Sequence, residues 1–319
     1  MRSLSPSIAL FWGTAVVLAI GPCLFQDGDL YYRVLGLSFF YASLAMAWNI
    51  LAMTGSISIG HTAFFGLGAY TSALVSHYTH LSPFLCVMLG GASGMAYGVV
   101  WHLLFRPLRG ARYALATLAS VEVPRVVIDN WEGLTFGSLG LAGIPTLPEL
   151  RAGDAVLFFG ESLKSQYYFL FLLMAAYASV HYKSIHSRWG WAIRAVRQDE
   201  VAAGSIGVPV DRIRLGAVTV SALLTAFCGA VYAHLMGLIE PPLVFNLHLS
   251  ALPLVLSIFG GRYQFYGPML GALLLYPADQ LVFHVWFPSG HAAVYGLVII
   301  LTFLLFPSGI GPWLQQRLR

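Results

Sequence analysis

Ten long apolar runs fill most of this chain, at 8–25, 34–53, 62–80, 83–105, 113–131, 166–182, 215–238, 247–260, 266–287 and 292–306. A helix needs about 20 apolar residues to cross the hydrocarbon core of a bilayer, where every backbone N–H and C=O must be paired within the protein. The runs are continuous rather than alternating, which argues against a transmembrane barrel. Only 9% of the residues are charged, against about 25% in a soluble domain. The expected fold is all-α: a polytopic membrane protein of about 8–10 transmembrane helices, some broken or re-entrant, making one transmembrane domain over 1–319. The first run, led by Arg2, imitates a secretory signal. Pro22 before Cys23 makes a poor lipoprotein cleavage site, so a retained first span is expected. Cys23, Cys86 and Cys228 show no spacing that suggests a disulfide framework or a metal site.

The sparse charges are unevenly spread. Lys183, Arg188, Arg194, Arg197, Asp199, Glu200, Asp211, Arg212 and Arg214 crowd into one short window. With the N-terminus in the cytoplasm, ten spans place thirteen of the seventeen basic residues inside. Arg33, Arg151 and Lys164 fall outside, and Arg125 lies within a span. That asymmetry fits the positive-inside rule and makes 183–214 a cytoplasmic loop, with a polar external loop at 132–165. Within the window Trp189, Ala192, Ile193, Val196 and Ala203 recur at helical spacing. Ser187 suits an N-cap, and Gly207 with Pro209 suits a stop. The pattern predicts an amphipathic helix over 188–206 lying along the membrane surface, or a solvated helix that joins two spans.

Two stretches interrupt the apolar pattern. Residues 54–70 crowd hydroxyls and glycines at membrane depth, where irregular backbone needs protein or water around it. Broken helices of this kind build transporter substrate sites, and glycines such as Gly66 and Gly68 also permit close helix packing. Asn49, Thr54, Ser56, Ser58, His61, Thr62, Phe64 and Phe65 are the candidate lining of a translocation path, with Asn49 equally suited to a helix–helix hydrogen bond. Residues 260–272 echo this stretch faintly: Phe265-Tyr266-Gly267 answers Phe64-Phe65-Gly66. Charges in spans are expensive and mark function by default. Glu122, Arg125 and Asp129 sit in the 113–131 run, where Glu122 and Arg125 share a helix face as a structural pair or a functional one.

Several enzyme classes fail on spacing. Pro288-Ser289-Gly290-His291 matches the central motif of membrane lipid-phosphate phosphatases, but the companion Arg and His are missing. The ten histidines form no di-iron cluster, only an isolated His77 and His80 pair. Gly160 to Ser165 resembles a phosphate loop, with Leu163 where glycine is required. The chain is therefore not expected to be an enzyme, and any ATP is handled by another polypeptide.

Thr54, Gly55, Ser58, Gly60, His61, Phe64, Gly66, Gly68, Ala69 and Tyr70 reproduce the pattern Thr-Gly-x-x-Ser-x-Gly-His-x-x-Phe-x-Gly-x-Gly-Ala-Tyr. In this the chain resembles the permease subunits of branched-chain amino acid ABC importers. Glu122 to Trp131 followed by Gly137, Ser138, Gly140 and Gly143 resembles the family's external Gly-rich segment. The run from Gly190 to Gly207 resembles its coupling loop, with Arg194, Arg197, Asp199, Glu200, Ala202, Ala203 and Gly207 as the ATPase-coupling residues. Gly260-Gly261 to Gly271-Ala272 resembles its C-terminal Gly motif. The likeness covers about 34–280, in order. Gly204 and Ser205 depart from the helix formers usual in the coupling loop, and Met53 stands where a Gly-Tyr pair is more usual.

The resemblance implies a bacterial inner-membrane permease with both termini cytoplasmic. Its implied partners are a second homologous permease, two ABC ATPase subunits, an extracytoplasmic solute-binding protein, membrane lipid and a small amino acid as substrate, with no nucleic acid. It implies no cofactor on this chain, ATP and Mg being used by the partner subunits. Related urea permeases share the architecture and keep a urea or amide solute open. An ion-coupled secondary transporter using Glu122, Arg125 and Asp129 is the rival from another class.

Overall fold

The computed structural model describes residues 29–148, 150–152, 155–158, 162–286, 290–306 and 309–317. The first expected span, at 8–25, lies outside the described residues, as do Gly160, Glu161, Pro288 and Ser289. In chain order the helices are α1 (Asp29–Ala52), α2 (Thr62–Thr79), α3 (Pro83–Phe105), α4 (Gly110–Ala119), α5 (Glu122–Asn130), α6 (Glu132–Thr135), α7 (Leu163–His186), α8 (Arg188–Gln198), α9 (Glu200–Ser205), α10 (Val210–Met236), α11 (Pro241–Val244), α12 (Leu247–Gly260), α13 (Gly267–Ala278), α14 (His284–Trp286), α15 (His291–Leu305) and α16 (Ile310–Arg317). Four short strands accompany them: β1 (Leu141–Ala142), β2 (Leu150–Ala152), β3 (Ala155–Phe158) and β4 (Leu238–Ile239). The chain is an all-α polytopic membrane protein. Among the described residues α1, α3, α10 and the stretch Pro241–Gly260, which bends at Phe245, are long and apolar enough to cross a membrane.

Two compact units divide the chain. The larger holds 43–148 and 177–255. Its centre is a ladder of small residues. Gly90, Gly94 and Gly98 on α3 meet Ala230, Ala226 and Ala222 on α10, and a Cβ on Gly94 would stand 2.1 Å from that of Ala226. Spacing of four on both helices keeps these residues on one stripe each, so the backbones approach closely along their length. On α2, Gly68 presses on the Ala226 carbonyl, and Gly229 of α10 on that of Phe65. Larger side chains fill the core beside the ladder: Leu51, Phe64, Trp101 and Val218, all buried.

The smaller unit holds the described residues of 29–42, 149–176 and 256–319. Here the rings of Phe39 and Tyr167 pack edge to face at 5.1 Å, as do Phe39 and Phe171 at 5.4 Å. β2 and β3 pair antiparallel. The glycine-rich stretch that closes α12 and opens α13 is built on close approach, because a Cβ on Gly260 would lie 1.7 Å from the Gly267 carbonyl oxygen.

The 113–131 run is not one span. It breaks between α4 and α5 at Ser120 and Val121. Pro124 is the cause: it has no N–H to give the carbonyl four residues back, that of Ser120. The Tyr97 hydroxyl of α3 donates to that freed carbonyl at 3.3 Å instead. The expected 188–206 helix likewise divides, into α8 and α9.

Candidate functional site

Three groups of residues singled out by the sequence fall in the larger unit. The first is the hydroxyl and glycine stretch between α1 and α2. The structure brings its members together and packs them. Asn49, Thr54, Ser58, His61, Thr62, Phe64 and Phe65 are all buried, and Ser56 alone is part-exposed. A Cβ on Gly60 would stand 1.9 Å from the Thr117 carbonyl oxygen, so this loop lies directly on the end of α4. Ile59 N–H donates to Thr117 Oγ1 at 3.2 Å, and Trp48 Nε1 to the Ser58 carbonyl at 2.8 Å. His61 joins Ser58 Oγ to Nδ1 at 3.0 Å and Ser221 Oγ to Nε2 at 2.9 Å.

The proton positions follow from the partners. Ser221 Oγ donates to the Ala47 carbonyl at 2.7 Å, so it accepts from His61 Nε2–H. Nδ1 then accepts from Ser58, whose oxygen accepts the Gly60 N–H at 3.2 Å. One neutral imidazole thus ties α1, the loop and α10 together. Thr62 Oγ1 donates to Ser250 Oγ at 3.1 Å, and the Ser250 hydroxyl donates to the Ile59 carbonyl. Asn49 Nδ2 lies 3.0 Å from His181 Nε2 on α7. The arrangement is a buried, hydrogen-bonded joint.

The second group is the charged island. Ser187 caps α8, its Oγ accepting from Gly190 N–H at 3.2 Å. Asp199, with extended backbone, ends α8 and caps α9 through Oδ1, which accepts from Val201 and Ala202 N–H at 2.9 and 3.0 Å. That cap divides the expected single helix. The apolar stripe faces the protein rather than a membrane surface: Ile193, Val196 and Ala203 are buried and Trp189 packs on the core cluster. Glu200 also turns inward. It pairs with Arg109 Nε at 2.8 Å and with Arg214 Nη2 at 2.5 Å, fastening α9 to the turn before α4 and the start of α10. Gly207, at φ +88°, makes the turn before α10. Arg194 stacks over Trp191 at 4.1 Å, and the Arg197 chain lies against Gly55. Three large apolar side chains face outward among exposed polar ones such as Arg188, Gln198 and Ser205. Trp191, Val201 and Ile206 are 69%, 75% and 79% exposed. Sequence periodicity missed these three, since it marks the stripe and leaves the opposite side to polar residues.

The third group lies on α5 and the segment that follows it. Arg125 Nη1 is 3.4 Å from Glu122 and its Nε 3.8 Å from Asp129. Ser138 Oγ is 3.5 Å from Asp129 Oδ1. Gly137, Gly140 and Gly143 all have positive φ, and β1 pairs antiparallel with β4 beyond α10. His234 Nδ1 lies 2.6 Å from the Pro145 carbonyl, and its Nε2 2.9 Å from Ser72 Oγ. The Gly-rich segment is thereby stapled to α2 and α10. Among the described residues no three His, Cys, Asp or Glu side chains converge as metal ligands would.

Comparison with known proteins gives a consistent picture. The family described as branched-chain amino acid transport system / permease component matches residues 30–303. The high-affinity branched-chain amino acid transport system permease protein LivM of Escherichia coli (strain K12) is 27% identical, over 97% of this chain and 76% of that protein. The permease protein LivH of the same system and organism is 25% identical, over 85% of this chain and 90% of that protein. The autoinducer 2 import system permease protein LsrC of Escherichia coli O9:H4 (strain HS) is 24% identical, over 86% of this chain and 78% of that protein. No solved structure matches.

Proposed function

Since this chain belongs to the permease-component family of branched-chain amino acid transport systems, we propose that it is the membrane-spanning subunit of an ATP-driven importer. It carries a branched-chain or other hydrophobic amino acid handed over by an external binding protein. A second permease and two ATPase subunits complete the machine, and this chain supplies no ATP chemistry itself. The likeness to LivM and LivH supports the solute class.

The observation that carries the coupling role is the outward face of α8 and α9. Trp191, Val201 and Ile206 stand exposed on an element whose own stripe is already buried in the permease. Apolar side chains grouped on a charged, otherwise polar loop mark a protein contact. In this reading they seat in a cleft of the ATPase. Asp199 and Glu200 then work from the permease side, the first shaping the element and the second fixing it to the turn before α4 and to α10. When ATP draws the ATPases together, α8 and α9 move as one piece with α10, and the spans tilt to change which side the path opens to.

The test uses the reassembled transporter in liposomes. Trp191→Ala with Val201→Asp should lower ATP-dependent leucine uptake by about tenfold or more, through loss of ATPase docking. The variant permease should still fold and be recovered at parent yield. Uptake at the parent rate would refute the docking role.

A further inference from the structure

The residues first expected to line the path are locked in a joint, yet another part of the larger unit has the properties a path wall needs. It is the broken pair α4–α5. Their break lies deep in the membrane. Ten residues separate Gly110 from Ser120, about 15 Å of helix, roughly half the hydrocarbon thickness. The Tyr97 bond places the same point independently, since Tyr97 lies eight residues, about 12 Å, before the end of α3 at Phe105. Glu122 follows the break directly near mid-depth, and Arg125 lies about one turn further out.

One side of α5 is buried, by Pro124 and Ile128. The other side is open. Val123 and Val126 are 60% and 52% exposed, Glu122 and its neighbour Arg125 stand at the edge of the same face, and Leu115 on α4 is 65% exposed. A lipid environment fits the valines but not the charges, which are costly against acyl chains at this depth. The ion pair is long as well. At 3.4 Å, and 3.8 Å to Asp129, it exceeds the 2.7–2.9 Å of a well-made charged hydrogen bond. A loosely engaged guanidinium and carboxylate, one turn apart beside a strip of branched apolar side chains, complement one kind of molecule.

We propose that the exposed face of α4–α5 is the permease's own solute-contact surface. On it Arg125 receives the carboxylate and Glu122 the ammonium of a zwitterionic amino acid, and Val123, Val126 and Leu115 meet its apolar side chain. The inference rests on the permease reading above and adds where in the chain the solute is met. Gly60 and Thr117 hold the end of α4 against the joint, so the break keeps its place while the charges after it change partners between the helix and the passing solute.

Cysteine accessibility and transport test this together, in liposomes carrying the assembled transporter. Val126→Cys should react with a small hydrophilic methanethiosulfonate several times faster than Leu89→Cys, at a matching depth on the exposed face of α3. Leucine supplied with the binding protein should slow that reaction. Arg125→Gln should reduce leucine uptake by about tenfold with the binding protein's leucine affinity unchanged, and Arg125→Lys should recover part of it. If the parent transporter moves no amino acid, the permease reading itself falls. If the parent transports but Val126→Cys reacts no faster than Leu89→Cys, or Arg125→Gln transports at the parent rate, this inference alone is overturned.

Discussion

His61 is the residue on which the packed joint turns. It is buried, with both ring nitrogens engaged, and its two serine partners belong to the loop and to α10. Removing the ring leaves a cavity and two buried hydroxyls short of a partner. His61→Ala should therefore cost about 3 kcal/mol or more of stability, read as a lowered Tm of the purified permease in detergent. His61→Gln, which keeps one polar arm, should lose less. A Tm unchanged by His61→Ala would mean the joint bears little of the fold. The sequence made this stretch conspicuous, because hydroxyls and glycines at membrane depth are rare. It did not say whether they face a path or one another. That depends on Thr117, Ser221 and Ser250, partners brought in from far along the chain, and no local spacing records them.

At the level of elements, two breaks separate the observed helices from the expected ones, and each traces to one side chain. Asp199 was legible as a charge but not as a cap, because it lies inside a continuous helical pattern. Asp199→Ala should cost about 1 kcal/mol locally, unravelling α9 where the Val201 and Ala202 N–H groups lose their acceptor. Faster amide exchange at Val201 and Ala202, with the rest of the protein unaltered, is the expected sign. Pro124 was equally visible in the sequence and went unread within an apolar run long enough for one span. Pro124 sits in the first turn of α5, where proline is tolerated, and Pro124→Ala returns an N–H to the Ser120 carbonyl so that α4 and α5 can join into one helix. That change should hold or raise Tm while leucine uptake falls, because a straight helix no longer presents Glu122 and Arg125 at the break. Uptake at the parent level with a raised Tm would show that the break is incidental. The spans themselves were read well where hydropathy decides, as with α3, found at its expected limits of Pro83 and Phe105.

For the molecule as a whole, the open matter is which way it faces, and the charges argue one answer. A bilayer holds positive loops on the cytoplasmic side, and thirteen of the seventeen basic residues fall on one side of the expected topology. The same assignment puts α8 and α9 where ATP is, and the Gly-rich segment where a binding protein can reach it. Both consequences can be read with single cysteines at exposed sites. Ser138→Cys, beside the Gly-rich segment, should label with an impermeant thiol reagent in cells whose outer membrane alone is permeable. Ser205→Cys, at the end of α9, should label only after the inner membrane is opened. Cys86 and Cys228 are buried, and Cys23, outside the described residues, is replaced by serine in both variants. The reversed pattern would place the apolar knob of Trp191, Val201 and Ile206 away from any ATPase. The permease would then have no lever within reach of its energy source, and coupling would have to be sought at another loop.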